Sequence, residues 1–176
     1  RFMFVQTGLP GRFLPDLVEP DNASEIDRQF NTLETWLQQF HEALPTSETV
    51  GSCLPTLCHE CRDTPDLRAG ERALVERCSA GPAAGVPAVP VHGDLWGGNI
   101  LADANRVGVI DWNHFHFGTP LEDLFNFAAA MAFRRFRDDP AREARAVGRA
   151  FYGGSALARR TQAAAMRLLQ RLGADQ

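Results

Sequence analysis

The stretch Val91-His92-Gly93-Asp94-Leu95-Trp96-Gly97-Gly98-Asn99-Ile100-Leu101, answered by Val107-Gly108-Val109-Ile110-Asp111-Trp112, constrains this chain more than any other part of it. Three polar residues, Asp94, Asn99 and Asp111, stand among glycines and β-forming residues. Ile100-Leu101-Ala102 and Val107–Ile110 read as two short strands, and the polar turn Asp103-Ala104-Asn105-Arg106 joins them as a hairpin. Asn99 then opens the first strand and Asp111 ends the second, so the two are expected to face each other across the hairpin. Gly97 and Gly98 leave room for backbone to pass close to a bound group. Asp, Asn and Gly are also ordinary turn formers, so the joint pattern carries the reading rather than any one residue.

A chain of 176 residues suits one domain with a real core. Net charge is -4 and acidic and basic residues are intermixed, which gives a nucleic-acid partner no support. No apolar run reaches the roughly 18 residues that span a bilayer, so no membrane partner is expected. No signal-peptide pattern opens the sequence. With four cysteines and no such signal, a reduced, cytoplasmic setting is expected. All 18 basic residues are arginine, so the chain contains no lysine. It also opens at Arg1-Phe2-Met3-Phe4-Val5 as if in mid-strand, and is read as a piece of a longer protein.

Residues 2–7 are β-prone and end in the turn Gly8-Leu9-Pro10-Gly11. Ser24 with Asp27 resembles a capping box. Ile26, Phe30, Leu33, Leu37, Phe40 and Leu44 then follow helical spacing until Pro45. Thr64-Pro65 opens a second helix that carries Leu67, Leu74 and Cys78 inward and stops near Gly81. Residues 81–90 deliver the chain extended into the central motif. Thr119-Pro120-Leu121-Glu122 reads as a capping box starting a helix that buries Leu121, Leu124, Phe125, Ala128 and Met131. Asp139-Pro140 opens another helix with Val147 and Phe151 on one face, broken by Gly153-Gly154. Ser155 caps a last helix bearing Leu157, Leu168, Leu169 and Leu172, and Gly173 ends it.

A hydroxyl attacking the γ-phosphate of a nucleotide needs orientation, a place for its proton, and charge neutralisation around the phosphates. Asp94 is the candidate base. Magnesium takes hard oxygen ligands and keeps several waters, so Asn99 and Asp111 suffice as its protein ligands.

His92-Gly93-Asp94-x-x-x-x-Asn99 followed by Val109-Ile110-Asp111-Trp112 resembles the aminoglycoside phosphotransferase and choline kinase superfamily, whose members have a kinase-like fold. The likeness is strong over residues 91–127 and includes Gly118-x-Pro120-x-x-Asp123. Leu9-Pro10-Gly11-Arg12 resembles the hinge to the C-terminal lobe, and Phe40-His41-x-x-Leu44-Pro45 the first large helix of that lobe. The resemblance implies an α+β fold: a mainly helical C-terminal lobe with a short β-hairpin carrying the catalytic loop. Residues 1–10 would be the last strand of the N-terminal lobe and the hinge. Residues 11–176 would be the C-terminal lobe, with catalytic loop 91–101 and metal-binding strand 107–112. It further implies an ATP- and magnesium-dependent phosphotransferase acting on a small-molecule hydroxyl, whether aminoglycoside-, choline- or sugar-like. Asp94 would be catalytic, Asn99 and Asp111 would bind the metal and hence the nucleotide, Asp123 would help hold the loop, and His92 would hydrogen-bond backbone within it.

Two departures sharpen the resemblance. Protein kinases carry Arg where Gly93 stands and a long segment after the metal-binding Asp, whereas here the next helix begins near Thr119. A small-molecule acceptor is therefore expected rather than a protein. Kinase-type sites also use a strand lysine on the α- and β-phosphates, and no residue here can serve as one. The partner needed is thus a missing N-terminal lobe, and the fragment alone is expected to be inactive. The alternative is a degenerate or truncated lobe acting as a non-catalytic binding module.

Other clusters admit second readings. His92, His114 and His116 fit a zinc-dependent hydrolase centre if His114 and His116 share one strand face, but that leaves Asn99 and the hairpin unexplained. Otherwise His114 and His116 flank the acceptor cleft or are solvated. Cys53, Cys58, Cys61 and Cys78 read as packed thiols or as a metal site. Arg159, Arg160, Arg167 and Arg171 read as a solvated helix face, and Trp36 and Phe40 as core. Glu122 and Asp123, or Asp138 and Asp139, read first as helix caps and second as an attraction for a cationic acceptor.

Overall fold

The computed structural model describes residues 11–14, 22–44, 47–49, 76, 87–103, 106–133, 151 and 154–173. The expected strand 2–7, the helix from Thr64 except residue 76, the helix from Asp139 as far as residue 150, and all four cysteines lie outside the described residues. Strands and helices are mixed in the order β1 (Arg12–Phe13), α1 (Ala23–Ala43), β2 (Ser47–Thr49), β3 (Pro87–Val91), β4 (Ile100–Ala102), β5 (Val107–Val109), β6 (His116–Gly118), α2 (Glu122–Phe133) and α3 (Ala156–Arg171). Two three-stranded sheets, β1-β4-β5 and β2-β3-β6, are antiparallel at every pairing. The hairpin forms with Ile100 opposite Val109 and Ala102 opposite Val107. Its second strand stops at Val109, so Ile110 and Asp111 lie past its end.

α1 lays Ile26, Phe30, Leu33 and Leu37 into the core at steps of three and four, with Trp36 alongside. Its cap is Asn22 rather than Ser24: the Asn22 carboxamide oxygen accepts from Glu25 N, and the Ser24 hydroxyl donates to that same oxygen. Asn ranks with the strongest caps, and it precedes Ser24 here, so the helix begins two residues sooner than expected. Leu44 is not a core position. It is the extended C-cap, the conformation a residue before proline prefers, and it is exposed.

α2 presents Leu124, Phe127, Ala128 and Met131 to the core. Phe125, expected inside, is exposed. The helix turns about 100° per residue, so a face holding Leu124, Ala128 and Met131 takes Phe127 and leaves Phe125 outside. Phe127 meets Phe30 of α1 edge-on, with ring centroids 5.7 Å apart. The Thr119 hydroxyl accepts from Leu121 N at 3.3 Å, and the helix starts at Glu122.

α3 is capped by Ser155, whose hydroxyl accepts from Ala158 N, and ends at Gly173 with φ +66°. Its arginines are not simply a solvated face. The Arg160 side chain is only 12% exposed; it pairs with Glu34 at 2.5 Å and Asp27 at 3.1 Å and lies over the Phe30 ring. Arg167 reaches the same Glu34 at 2.9 Å, and Arg171 reaches Gln38. Burial works to raise the Glu34 carboxyl, but the two guanidinium partners hold it below its ordinary value. α3 is thus bolted to α1 by charge as well as by Leu157, Ala164 and Leu168.

His41, in the last turn of α1, donates to the Pro90 carbonyl of β3. Burial, and then the Arg171 charge, lowers its pKa to about 4, against the Pro90 bond. The unfolded chain therefore binds a proton between about pH 6.5 and 4 that the folded chain refuses. The resulting stability is full above pH 6.5 and is lost as pH falls. Between pH 7 and pH 5 the loss from this group is at most about 2 kcal/mol. Denaturant melts of His41→Leu should show a shallower decline over that interval than wild type; an identical slope would remove His41 as its source.

Candidate active site

β3 and β6 pair with Val89 opposite Gly118 and Val91 opposite His116, which delivers the chain to His92 at a fixed point. The loop that follows alternates anchors and free groups. His92 and Leu95 have no exposed surface, Asn99 is 4% exposed, and Asp94 between them is exposed. Leu95 sits in the core cluster, so the loop is nailed down beside Asp94 while its carboxylate faces out.

His92 spans the site. Its Nδ1 accepts from Asp94 N at 3.3 Å, which leaves Nε2 to carry the proton and donate to the Ile110 carbonyl at 2.8 Å. The Trp112 ring stands edge-on to it at 4.8 Å, and Trp112 Nε1 donates to the Val109 carbonyl. One imidazole therefore ties the loop carrying Asp94 to the chain just before Asp111.

Asp123 holds the same loop from the other side. Its two carboxylate oxygens accept from His92 N at 2.8 Å and Gly93 N at 3.0 Å. Burial pushes this carboxyl above its ordinary value, against the two amide donors. Asp123 thus reaches the loop backbone rather than serving as a helix cap. Asn126, one turn along α2, donates from Nδ2 to the Gly93 carbonyl at 3.2 Å. Sequence reasoning missed Asn126; the one available signal was its position three residues after Asp123, on the same helix face.

Asn99 closes the 3-10 turn Gly97–Asn99. Its Nδ2 donates to the Asp94 carbonyl at 2.9 Å and lies 3.5 Å from Asp94 Oδ2. A carbonyl accepts only, so this end must be the NH2, and the amide oxygen points away from Asp94. The Asn99 carbonyl accepts from Ile110 N at 3.0 Å. Asp111 follows Ile110 in the left-handed region, φ 64° and ψ 61°, the one non-glycine with positive φ among the described residues. Its carboxylate is exposed and accepts from Asn113 Nδ2 at 2.6 Å. The structure therefore links Asp94 directly to Asn99, and Asn99 by one backbone bond to Ile110, the residue before Asp111. The donor set of Asn99 and Asp111 is oxygen only, which fits a hard divalent cation.

The histidines after Asp111 do not share a strand. His114 closes the 3-10 turn Trp112–His114, and His116 opens β6. Both His92 nitrogens are engaged, while His116 donates to the His114 carbonyl and pairs with Glu122 at 3.1 Å. Burial lowers the His116 pKa, but the His114 carbonyl and Glu122 outweigh it, so it sits above its ordinary value. Among the described residues no group of three or more His, Cys, Asp or Glu converges as a metal cluster.

The family model described as "Phosphotransferase enzyme family" matches residues 1–163. The chain belongs to this phosphotransferase family. A glucosamine kinase solved in complex with glucosamine, ADP and inorganic phosphate shares the kinase-like fold, at 19% identity and TM-score 0.53, covering 90% of this chain and 46% of that one. A second crystal form of glucosamine kinase gives 19% identity and TM-score 0.51 over 85% and 43%. The chain thus spans less than half the length of the solved structures it matches. No curated protein sequence matches it.

In this phosphotransferase family member Gly93 has φ +84°, and a β-carbon there would run into the His114 carbonyl. Gly93→Ala should cost about 1–3 kcal/mol from backbone strain alone, read as a lowered denaturation midpoint. An unchanged midpoint would mean the loop adopts another backbone path.

Proposed function

We propose that this chain is the C-terminal lobe of an ATP-dependent phosphotransferase that moves the γ-phosphoryl group to a hydroxyl of a small molecule. The observation that carries the reading is the linkage of Asp94 to Asn99 by direct contact at 2.9 Å and on to Ile110-Asp111 at 3.0 Å. Asp94, the exposed carboxylate on a fixed loop, orients the acceptor hydroxyl and receives its proton. The Asn99 amide oxygen and the Asp111 carboxylate would hold magnesium. When bound, that ion supplies charge neutralisation for the phosphates. His92 and Asp123 keep the loop in register. A small acceptor fits because only six residues separate Trp112 from Thr119, too few for a protein-docking activation loop. The glucosamine bound to a structural neighbour makes an amino sugar the first acceptor to try.

Asp94→Ala, in a form of the enzyme that turns over, should lower kcat by about 100-fold or more while nucleotide affinity stays within a few fold. Acceptor-stimulated ADP release, with glucosamine tried first, measures the first, and nucleotide titration the second. Unchanged turnover would defeat the base assignment.

One observation favours a second reading. The chain has no lysine, so the usual cation for the α- and β-phosphates is not supplied by these residues. By itself it is expected to act as a weak nucleotide binder with negligible turnover, the behaviour of a non-catalytic module. Calorimetric titration of magnesium-ATP into the chain should give no micromolar binding; micromolar affinity would overturn this expectation.

A further inference from the structure

We infer that Asn126 is a positioning residue for Asp94, acting by locking the Gly93–Asp94 peptide; the inference rests on the proposed role of Asp94. Three successive peptide units lead into Asp94, and each is gripped by a side chain. The first two present the N–H groups of His92 and Gly93 to the two oxygens of Asp123. The third has two ends. Its carbonyl, that of Gly93, accepts from Asn126 Nδ2 at 3.2 Å, and its N–H, that of Asp94, donates to His92 Nδ1 at 3.3 Å.

This third unit is the one most able to turn. It follows Gly93, at φ +84°, and a residue without a β-carbon tolerates the ψ change that rotates the next peptide. Asp123 does not touch it. The Asp94 side chain is exposed and follows this unit directly, so a flip would carry the Asp94 N–H away from His92 and, by changing φ at Asp94, change which rotamers hold its carboxylate. Asn126 and His92 oppose that flip from its two ends. α2 therefore places two side chains, one turn apart, on consecutive parts of one loop: Asp123 fixes where the loop sits, and Asn126 fixes which way Asp94 faces.

The test is backbone amide hydrogen exchange by NMR on this chain, comparing wild type with Asn126→Leu and Asn126→Asp. Both variants approximate the shape of Asn and remove the donor at neutral pH. Exchange at the Asp94 amide should accelerate by about tenfold or more. The His92 and Gly93 amides, still held by Asp123, and the α2 amides should keep their protection. In a form of the enzyme that turns over, the same variants should lower kcat while leaving the KM for ATP within about twofold. Unchanged exchange at Asp94 in both variants would overturn the inference, as would an equal loss of protection across His92, Gly93 and α2, which is loosening rather than positioning. The exchange readout needs no substrate. An Asp94→Ala enzyme that still transfers phosphate would remove the base assignment and leave the peptide lock standing, whereas unchanged exchange would remove the lock and leave the assignment.

Discussion

A carboxylate withdrawn from water costs several kcal/mol unless its oxygens are met by donors. Asp123 is 2% exposed, and its donors are two successive backbone N–H groups of the loop that carries Asp94. The requirement runs in both directions. α2 can bury Asp123 only where the loop turns both amides toward it, and the loop holds that turn with Gly93 at positive φ, set against the His114 carbonyl where a β-carbon has no room. Helix docking, loop conformation and the packing of residues 112–116 are therefore one coupled arrangement. The remaining upward push on the Asp123 carboxyl indicates that two amides do not fully replace its hydration.

From that fixed loop the connections run outward through hydrogen bonds. His92 links it to Ile110, and Asn99 links it to the same residue by its own carbonyl. The buried members, His92, Asn99 and Asp123, hold; the exposed members, Asp94 and Asp111, are left with free carboxylate surface. Such a division suits transfer chemistry, where rate comes from positioning and electrostatics more than from covalent steps.

The sequence displays the elements whose cause is local. The Ser155 cap and the terminal Gly173 of α3, the hairpin pairing of β4 with β5, and the three-and-four spacing of α1 are all decided by neighbours a few residues away, and all appear in the structure. The spacing from Asp94 to Asn99 to Asp111 is readable within one short stretch, and the roles given to these residues belong to the proposed function. Local sequence does not display a partner that lies far along the chain. Arg160 reads as solvated because its partners Asp27 and Glu34 are more than 120 residues away. Phe125 reads as inward in place of Phe127 because a helix apolar on most sides has little periodicity, and only packing against Phe30 selects the inner face. The alternative that needs His114 and His116 on one strand fails at a three-residue 3-10 turn, which leaves no compositional mark.

Asp111 shows how the site carries its own strain. A non-glycine residue in the left-handed region costs about 1–3 kcal/mol and persists only when its surroundings over-determine it. Here they do: Ile110 N is bound to the Asn99 carbonyl before it, and Trp112 Nε1 returns to the Val109 carbonyl after it. The indole is then packed among His92, Trp36, Phe40 and Phe115. A glycine at this position would relax the backbone and lose the carboxylate. The aromatic packing behind Asp111 is therefore not only core: it supplies the rigidity that keeps an acidic side chain at a point where the backbone alone favours none.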